Sequence, residues 1–361
     1  MGKIRVAIAG LGNCASALIQ GVQYYANAKP EETIPGLMHV VFGDYHVRDL
    51  EFVAAFEVNT RKIGKDISKA ILEPSNCTPQ FADVPHLNAK VYPGPISDGV
   101  APHMKKPFYC YDEKETEAVD IAEILQETKA EVLVNFLPVG SEESSRLYAQ
   151  AALDSGVAFA NGIPTFLASD PSREWAKKFE NKGIPIAGDD IKSQLGATIL
   201  HRLIAQLALD RGVVLEETYQ LNIGGNTDFE NMRYEERLKT KRISKTEAVT
   251  SLVPYDVPTR IGPSDYVQFL EDTKICYLWA KGRKFGDQPV TVEAKLTVVD
   301  SPNSAGVMID VIRALKLGLD RGIGGVLTSM SSYAFKHPPI QVPDFRAKQW
   351  VEEYIEGKRE R

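Results

Sequence analysis

The chain has 361 residues, of which 43% are hydrophobic and 25% are charged, and these proportions are ordinary for a globular protein of about two domains. Its formal charge of −6 argues against a general nucleic-acid or anionic-membrane binder, because both classes favour a basic face. No stretch approaches the ~18 consecutive apolar residues of a membrane span, and the first apolar run is too short for a signal peptide. We therefore expect a cytoplasmic protein.

The cysteines and histidines indicate neither a disulfide framework nor a metal centre. The four cysteines are scattered without a CxxC pair, at Cys14, Cys77, Cys110 and Cys276. This arrangement favours reduced thiols over disulfides. The six histidines show no spacing typical of metal ligands.

The first half of the chain alternates predicted strands with predicted helices. We expect strands at 3–9, 52–56, 89–92, 131–136 and 157–160, and helices after residue 12, at 115–128 and at 141–155. This alternation is typical of βαβ units and predicts an α/β fold with a Rossmann-like, doubly wound parallel sheet.

The pattern changes near residue 215, where strands follow one another with few helices between them. Runs rich in Val, Tyr, Leu and Thr predict strands at 216–224, 274–281 and 289–299, followed by a strongly periodic helix at 304–321. These elements predict a second, α+β domain with a mixed or antiparallel sheet. We place the nucleotide-binding domain at 1–200 and the second domain at 201–324, and we expect the tail 325–361 to pack back on the first.

A GxGxxA sequence lies between the first predicted strand and the first helix. Gly10 is suited to a tight turn, Gly12 allows close approach to a pyrophosphate, and Ala15 allows the helix to pack closely on the strand. Asn13 and Cys14 complete the loop, where the helix N-terminus offers N–H groups to phosphates. We predict a dinucleotide site here; the alternative is a turn with a structural role only.

An acidic residue ends the second predicted strand of this unit, which an insertion at about 25–50 delays. Glu57 at that position favours NAD over NADP, because its charge would repel a 2′-phosphate. The alternative is a glutamate in a solvent-facing loop. Pro138 and Asn161 also follow strands, in loops that border the cofactor crevice of a doubly wound fold.

Two carboxylates and an amine follow the apolar run at 184–187. Asp189, Asp190 and Lys192 could bind a hydroxylated ligand, a cation or the cofactor. A helix N-terminus with acids in its first turn explains the same pattern equally well. Spacing alone leaves both interpretations open.

Amides and an acid follow the strand that ends near residue 224, and a lysine pair comes next. Asn222, Asn226 and Asp228 suit hydrogen bonding to a polyol or a cation, although turn chemistry selects similar residues. Lys241 and Lys245 are four residues apart, so a helix would place both on one face. Because like charges repel, we expect an anion or an acid between them; the alternative is two exposed lysines.

Three further charged residues stand at the ends of apolar runs. Lys274 precedes Ile275, Asp300 precedes Ser301 at the expected start of the late helix, and Lys336 follows Phe335. Partly buried lysines lose pKa and can act as acids, bases or partners of an oxyanion. Taken one at a time, each of these residues is equally well explained as structural.

Taken together, the motifs closely resemble the inositol-1-phosphate synthase family, in particular its shorter archaeal and bacterial members. The resemblance spans nearly the whole chain. Besides the glycine loop, it rests on GDDIKSQ at 188–194, LNIGGNTDF at 221–229, KRISK at 241–245, DSPNSAG at 300–306 and SYAFKHPP at 332–339.

The resemblance implies a reaction without net redox change. The family converts D-glucose 6-phosphate to myo-inositol 1-phosphate with tightly held NAD. The C5 hydroxyl is oxidised, a proton leaves C6, the enolate attacks the C1 aldehyde, and the hydride returns to C5. A homotetramer assembled through the sheet of the second domain is also implied, together with a role in inositol and phospholipid synthesis.

The same resemblance implies roles for individual residues. Lys241 and Lys245 would serve the carbonyl and enolate oxygens, and Lys274 and Lys336 the phosphate and the aldol oxyanion. The orienting and binding roles would fall to Asp190, Asp300, Ser301, Asp189, Asn222, Asn226, Asp228 and Lys192. Lys281 competes with Lys274 for the third lysine position, and we prefer Lys274 for its spacing to Asp300. Members of the family differ between monovalent and divalent cations, and the sequence leaves open which cation, if any, is required here; Asp228 or Asp190 could hold one.

Two other functions remain open from the sequence. One is a dehydrogenase that acts on a sugar phosphate or a semialdehyde and releases NADH. The other is a catalytically silent NAD-binding protein that reports redox state.

Overall fold

A computed structural model describes residues 2–361, apart from the side chains of Glu235 and Lys239. In chain order the strands are β1 (Ile4–Ala9), β2 (Val41–Phe42), β3 (Tyr45–His46), β4 (Leu50–Glu57), β5 (Lys90–Pro93), β6 (Val132–Asn135), β7 (Ala158–Asn161), β8 (Pro185–Ala187), β9 (Val214–Gly224), β10 (Thr259–Tyr266), β11 (Thr273–Arg283), β12 (Pro289–Val299) and β13 (Gly325–Val326). The α-helices are α1 (Asn13–Tyr24), α2 (Ile67–Ala70), α3 (Ile121–Glu127), α4 (Glu142–Ser155), α5 (Glu174–Lys182), α6 (Ala197–Asp210), α7 (Thr227–Asn231), α8 (Lys239–Thr250), α9 (Asp300–Asp320), α10 (Thr328–Ala334) and α11 (Asp344–Ile355).

The first domain is built on a seven-stranded sheet in the order β13-β8-β7-β6-β1-β4-β5. Every neighbouring pair in it is parallel. The central strands are almost wholly apolar because helices cover both faces, and Ile4 and Ile8 of β1 have no exposed surface. The predicted Rossmann-like α/β fold is confirmed. The insertion between α1 and β4 carries the small antiparallel pair of β2 and β3.

The second sheet is mixed, as predicted, in the order β10-β9-β11-β12. The pair β9–β10 is parallel, and β11 is antiparallel to both β9 and β12. Its inner face packs on α6, where Cys276 and Leu278 form a buried cluster with Ala197. The side chains of Tyr219 and Tyr277 point from the opposite face and are about two-fifths exposed, at 37% and 41%.

Helix α9 packs on the first sheet rather than the second. Met308, Ile312 and Leu315 belong to the same buried cluster as Ile4 and Ile8. The sequence predicted that the second domain runs to residue 324, whereas the buried face of this helix packs in the core of the first domain. An apolar stripe shows that a helix is buried, but it does not say against which sheet.

Two helices begin elsewhere than predicted. Helix α9 starts at Asp300 instead of 304, because Pro302 needs no N–H partner in a first turn. Helix α3 starts at Ile121 instead of 115, because the Asp120 carboxylate accepts the N–H of Glu123 at 3.1 Å and caps the helix.

The tail contacts the first domain. Strand β13 pairs with β8 at the edge of the large sheet, and the Tyr354 hydroxyl donates to the carbonyl oxygen of Ala314 at 2.9 Å. Within residues 2–361, no helix has the combination of length and apolar character that a bilayer span requires.

Candidate active site

A deep cavity lies at the carboxyl ends of the parallel strands and extends to α8 in the second domain. It encloses about 1490 Å³, including the part open to solvent. Its walls come from the glycine loop, the end of β4, the loop after β6, α8 and the start of α9. Ligands of doubly wound sheets bind at this edge, where the strands end and the helices begin.

The glycine loop forms a cradle at one end of the cavity. Gly10 has φ of +85°, and a Cβ there would lie 2.7 Å from the carbonyl oxygen of Phe136. A Cβ on Gly12 would meet no protein atom within 4 Å, so the space beside this residue is open to a ligand. Gly12 precedes α1 and provides no capping side chain. The helix N–H groups at this end therefore suit a pyrophosphate, as predicted for NAD.

The predicted cofactor residues divide into those that line the cavity and those that lie behind it. Eight line it: Gly10, Gly12, Asn13, Cys14, Glu57, Pro138, Asp300 and Ser301. Ala15 is fully buried between α1 and the sheet, which agrees with its predicted packing role. The Asn13 side chain also accepts the backbone N–H of Cys77 at 2.7 Å, so it anchors the loop that follows α2.

Asp189 and Asn161 do not line the cavity, in contrast to the prediction. Asn161 donates to the Asp189 carboxylate at 2.7 Å, and Ser169 donates to it through both its hydroxyl and its backbone N–H. Both predicted residues have no exposed surface, and burial raises the pKa of Asp189 to about 6. Asp189 and Asn161 connect the loops that follow β7 and β8 on the side away from the cavity. Gly162 and Ile163 line the cavity where Asn161 was expected.

Asp190 lies at the centre of a charged cluster at the other end of the cavity. Its Oδ1 atom lies 3.0 Å from Nζ of Lys241 and 3.0 Å from Nζ of Lys336. Ser244 donates its hydroxyl to Oδ2 at 2.5 Å. Burial alone would raise the pKa of Asp190, but the two ammonium groups hold it well below its ordinary value.

The backbone of Asp190 is held as firmly as its carboxylate. Its φ of +63° lies in the left-handed region, which Asp tolerates better than most residues. The N–H of Asp190 donates to Ile163 at 3.1 Å, and its carbonyl accepts the N–H of Lys336 at 2.7 Å. The loop from β8 and the segment after α10 are thereby joined, which places Lys336 beside Lys241.

The two lysines of α8 have different protonation behaviour although they share one helix face. Burial opposes the charge of Lys241, but Asp190 raises the pKa of this lysine to about 12. Lys245 is 5% exposed, and no described residue forms an ion pair or hydrogen bond with its amine. Burial, together with the charges of Lys241 and Lys274, places the pKa of Lys245 well below its ordinary value. The expected acid lies against Lys241, and the amine of Lys245 lines the cavity without a partner in the described part of the chain.

The third lysine of the site is Lys274. Its Nζ atom lies 3.0 and 3.3 Å from the two carboxylate oxygens of Asp300, in the first turn of α9. Burial would raise the pKa of Asp300, but Lys274 lowers it. Lys281, the alternative from sequence, lies on the outer face of the second sheet, where it pairs with Glu217 at 3.2 Å.

Of the residues predicted to bind the substrate, some line the cavity and others do not. Asn226 and Asp228 line the cavity at the start of α7, where the Asn226 side chain caps the helix. Asn222 is buried within the second sheet, where it donates to Gly262 at 2.8 Å. Its amide is thus engaged within the sheet, and Asn222 is not among the residues that line the cavity.

Lys192 lies outside the cavity as well. Its amine donates to the carbonyl oxygen of Ser332 and to the Asp344 carboxylate, each at 3.0 Å. Burial lowers its pKa to about 8. Lys192 thus attaches the tail to the first domain and is not in place to bind a substrate.

Asp272 is a site residue that the sequence analysis missed. It lies behind the cavity and accepts hydrogen bonds from Asn226 at 3.1 Å and from the Ser301 hydroxyl at 2.7 Å. Burial raises its pKa to about 6. Nothing in the local sequence distinguishes it from Glu271 beside it. Ser244 was also missed, although its position three residues after Lys241 places both on one helix face.

The described part of the chain contains no group of three or more His, Cys, Asp or Glu side chains that could hold a metal ion. Of the two acids considered as cation ligands, Asp190 is engaged by two lysines and a serine. Asp228 lines the cavity. We call the part of the cavity beside Gly10 and Gly12 the glycine end, and the part lined by Lys241, Lys245, Lys274 and Lys336 the lysine end. The arrangement suits anionic oxygens at the lysine end and a dinucleotide at the glycine end.

Known proteins resemble the chain over its whole length. A model of the family described as myo-inositol-1-phosphate synthase matches residues 196–301. The inositol-3-phosphate synthase of Corynebacterium glutamicum is 54% identical over 360 residues, which cover 98% of this chain and 98% of that protein. The enzyme of the same name from Mycolicibacterium smegmatis is 53% identical over 363 residues and 99% of each chain. Among solved structures, that of Ari2 has a TM-score of 0.77 at 34% identity and covers 98% of this chain and 99% of its own.

Proposed function

This chain belongs to the inositol-3-phosphate synthase family, and from that premise we propose that it isomerises D-glucose 6-phosphate to 1L-myo-inositol 1-phosphate. The observation that carries the proposal is a single cavity with a glycine-loop cradle at one end and four lysines at the other. A simple hydride transfer needs one or two acid–base groups, whereas an enolate and a phosphate together need several cationic partners.

The residues at the glycine end fit NAD. Gly12 leaves space for a pyrophosphate, and Glu57 lies at the end of β4 beside the glycine loop. Bound at this end, NAD+ would supply a hydride acceptor for C5 and, in its reduced form, the donor of the same hydride, so that no net redox change results. The protein's part is to hold the dinucleotide in the cavity and to move protons on the sugar. We also assign the product to inositol and phospholipid synthesis in the cytoplasm, on family membership alone.

The lysine end provides both a proton acceptor and hydrogen-bond donors. Lys245 has an amine that gives up its proton more readily than an ordinary lysine, because burial and the neighbouring lysines place its pKa well below the ordinary value. It is therefore suited to accept the proton that leaves C6. The phosphate group of the substrate could also help to remove this proton. Lys241 stays protonated, since its pKa is raised to about 12, and it can donate to the carbonyl and enolate oxygens.

Lys274 and Lys336 complete the proposed site as donors to the phosphate and to the oxyanion that forms when the enolate attacks C1. Their carboxylate partners, Asp300 and Asp190, fix the direction of each ammonium group. Preorganised donors of this kind stabilise developing negative charge without reorganisation during the reaction. Asp228 and Asn226 are left to contact the sugar hydroxyls or a cation.

A product assay separates the proposal from its alternatives. The purified protein is incubated with glucose 6-phosphate and NAD+, and inositol phosphate is followed by phosphorus NMR while NADH is followed by absorbance. The proposed synthase makes inositol phosphate without accumulating NADH. A dehydrogenase would accumulate NADH in proportion to product, and a silent NAD-binding protein would form neither compound.

We further propose a homotetramer, assembled through the outer face of the second sheet. This face presents apolar side chains at Tyr219, Leu221 and Tyr277, exposed by 37%, 38% and 41%, and exposed apolar patches commonly mark interfaces. Light scattering after gel filtration measures the mass in solution. Leu221→Lys is expected to reduce it, whereas Lys177→Glu, a charge change at an exposed position of α5 in the first domain, serves as the control. A monomer in the unaltered protein would contradict the proposal.

A further inference from the structure

A buried lysine outside the catalytic cluster lies at the cofactor end of the cavity. Lys62 is 2% exposed and lines the cavity together with Glu57. The other cavity lysines gather around Asp190 and Asp300 at the opposite end. The reaction proposed above assigns no role to Lys62, and burying an ammonium group is costly unless it is paired.

The contacts of Lys62 join it to the glycine loop. Its amine donates to the carbonyl oxygen of Leu11 at 2.8 Å and to the side-chain oxygen of Asn76 at 2.9 Å. Its Nζ atom also lies 3.6 Å from Oε2 of Glu57, which is within ion-pair range but too long for a hydrogen bond. Two of its three protons are thus used by neutral acceptors, and the third is available on the side of Glu57.

Glu57 is bound to the same loop from the other side. Its Oε2 atom accepts the backbone N–H of Leu11 at 3.1 Å, and its Oε1 atom accepts the N–H of Val58 at 2.8 Å. The backbone of Leu11 therefore donates its N–H to Glu57 and accepts a hydrogen bond from Lys62 at its carbonyl oxygen. The loop that would hold the pyrophosphate is fastened to both charges.

We propose that Glu57 and Lys62 form a charge pair that decides which dinucleotide the cavity accepts. Glu57 excludes a 2′-phosphate by repulsion. Lys62 is a cation that would bind that phosphate once Glu57 is replaced by an uncharged residue. The inference rests on the proposed use of NAD. It goes further by identifying a phosphate-binding group that Glu57 masks, and it makes Lys62 a specificity-determining residue.

The physical argument is one of charge balance. With Glu57 ionised, the pair has no net charge and accepts the ribose hydroxyls of NAD. With a neutral glutamine at 57, Lys62 is left as an unpaired charge in a buried position, and a ligand phosphate can compensate it. Burial lowers the pKa of Lys62 and Glu57 opposes that change, so a bound phosphate would take over the role of the carboxylate.

Binding of NADH and NADPH tests the proposal without using turnover. Fluorescence titration measures the two dissociation constants, and the readout is their ratio, because a purely structural defect would weaken both cofactors alike. In Glu57→Gln we expect the preference for NADH over NADPH to fall by about tenfold or more. An unchanged ratio in this variant would overturn the proposal.

Double variants assign the effect to Lys62. Glu57→Gln with Lys62→Gln is expected to lose the gained NADPH binding, whereas Glu57→Gln with Lys62→Arg is expected to keep it. The matched control is Glu57→Gln with Lys65→Gln, since Lys65 lies on the same segment but is 44% exposed and pairs with Glu73. NADPH binding that survives Lys62→Gln would contradict the assignment.

Two further observations keep the outcomes distinct. Circular dichroism shows whether each variant folds, and Lys62→Met replaces Lys62→Gln if the latter does not. An unaltered protein that binds neither coenzyme would overturn the proposed function itself. An unaltered protein that prefers NADH, together with an unchanged ratio in Glu57→Gln, would overturn only the inference about the pair.

Discussion

The carboxylate of Asp190 and the ammonium group of Lys241 lie 3.0 Å apart although 51 residues separate them in the chain. Asp190 comes from the end of β8 in the first domain, and Lys241 comes from α8 beside the second sheet. The contact therefore joins the domains at the site of the proposed chemistry. It also explains why the pKa of Lys241 is raised while the pKa of Lys245, on the same face of α8, is lowered.

Asp190→Asn tests this relationship. The neutral amide cannot compensate Lys241 and Lys336, so both ammonium groups become less stable. Removing one partner of a buried ion pair typically costs about 3–5 kcal/mol, which predicts a lower free energy of unfolding in urea. We also expect turnover at neutral pH to fall by about 100-fold or more. Asp265→Asn, at an exposed strand position, should change neither quantity.

Lys245 is predicted to act as a proton acceptor, and two substitutions separate that role from simple positive charge. Lys245→Met should lower kcat by about 10²–10⁴-fold while NADH binding stays nearly unchanged. Lys245→Arg should be equally inactive, because guanidinium does not give up its proton in this pH range. An active arginine variant would show that charge, not proton transfer, is what the reaction needs.

Lys274 and Lys281 form a matched pair on β11, seven residues apart. Lys274 contacts Asp300 in the cavity, whereas Lys281 is 41% exposed on the outer sheet face. We expect Lys274→Ala to lower kcat by about 10²–10³-fold, as for the loss of one donor to an oxyanion. Lys281→Ala should leave steady-state kinetics within about twofold, because exposed ion pairs contribute little. Equal losses in the two variants would contradict the assignment.

The pH dependence follows from Lys336, whose pKa burial lowers to about 8. If its ammonium form binds the substrate phosphate or the oxyanion, kcat/KM falls as pH rises through about 8. Lys336→Arg should move this decline to higher pH, because arginine remains charged. A profile that stays flat to pH 9 would remove Lys336 from the anion-binding role.

Stability should change with pH in the opposite direction to activity. An unfolded lysine has a pKa near 10.5, so between pH 8 and 10.5 the unfolded state binds more protons than the folded state. The free energy of unfolding therefore rises with pH across this range. Lys192, with a pKa also lowered to about 8, contributes in the same direction. Urea titrations at several pH values measure the slope.

Asp272 is predicted to position two cavity residues without itself contacting a ligand. Asp272→Asn keeps the size of the side chain but replaces one acceptor oxygen with a donor, so Asn226 and Ser301 lose part of their support. We expect NADH binding to weaken by about tenfold and the free energy of unfolding to fall by about 1–3 kcal/mol. Fluorescence titration and urea unfolding measure these changes. A kcat effect without any change in affinity would argue for direct participation instead.

Local pattern was sufficient for much of the fold. The apolar run of β1 followed by a GxGxxA loop predicts a parallel strand and a nucleotide-binding turn, because burial and glycine geometry act over a few residues. The alternation near β9 and β11 likewise predicts strands of a second sheet. Element ends were less accurate, since the start of α9 depends on how Pro302 fits its first turn.

The cavity residues show the limit of this approach. Lys241 and Lys245 share a motif and a helix face, yet only the folded chain places Asp190 beside Lys241, while the amine of Lys245 has no hydrogen-bond or ion-pair partner among the described residues. Asp189 and Lys192 belong to the same motif as Asp190, but they bind Asn161 and Asp344 outside the cavity. Residue type shows which chemistry a side chain can perform, and only position shows which of them reaches the site.

The sequence by itself determined the fold class, the dinucleotide loop and the set of charged motifs, because these depend on short-range periodicity and on residue chemistry. The tertiary structure decided that the pKa values of Lys241 and Lys245 shift in opposite directions, and it decided the pairing of Lys62 with Glu57 and the supporting role of Asp272. The physical reason is that burial and charge–charge distance set a pKa, and both arise from contacts between segments far apart in the chain.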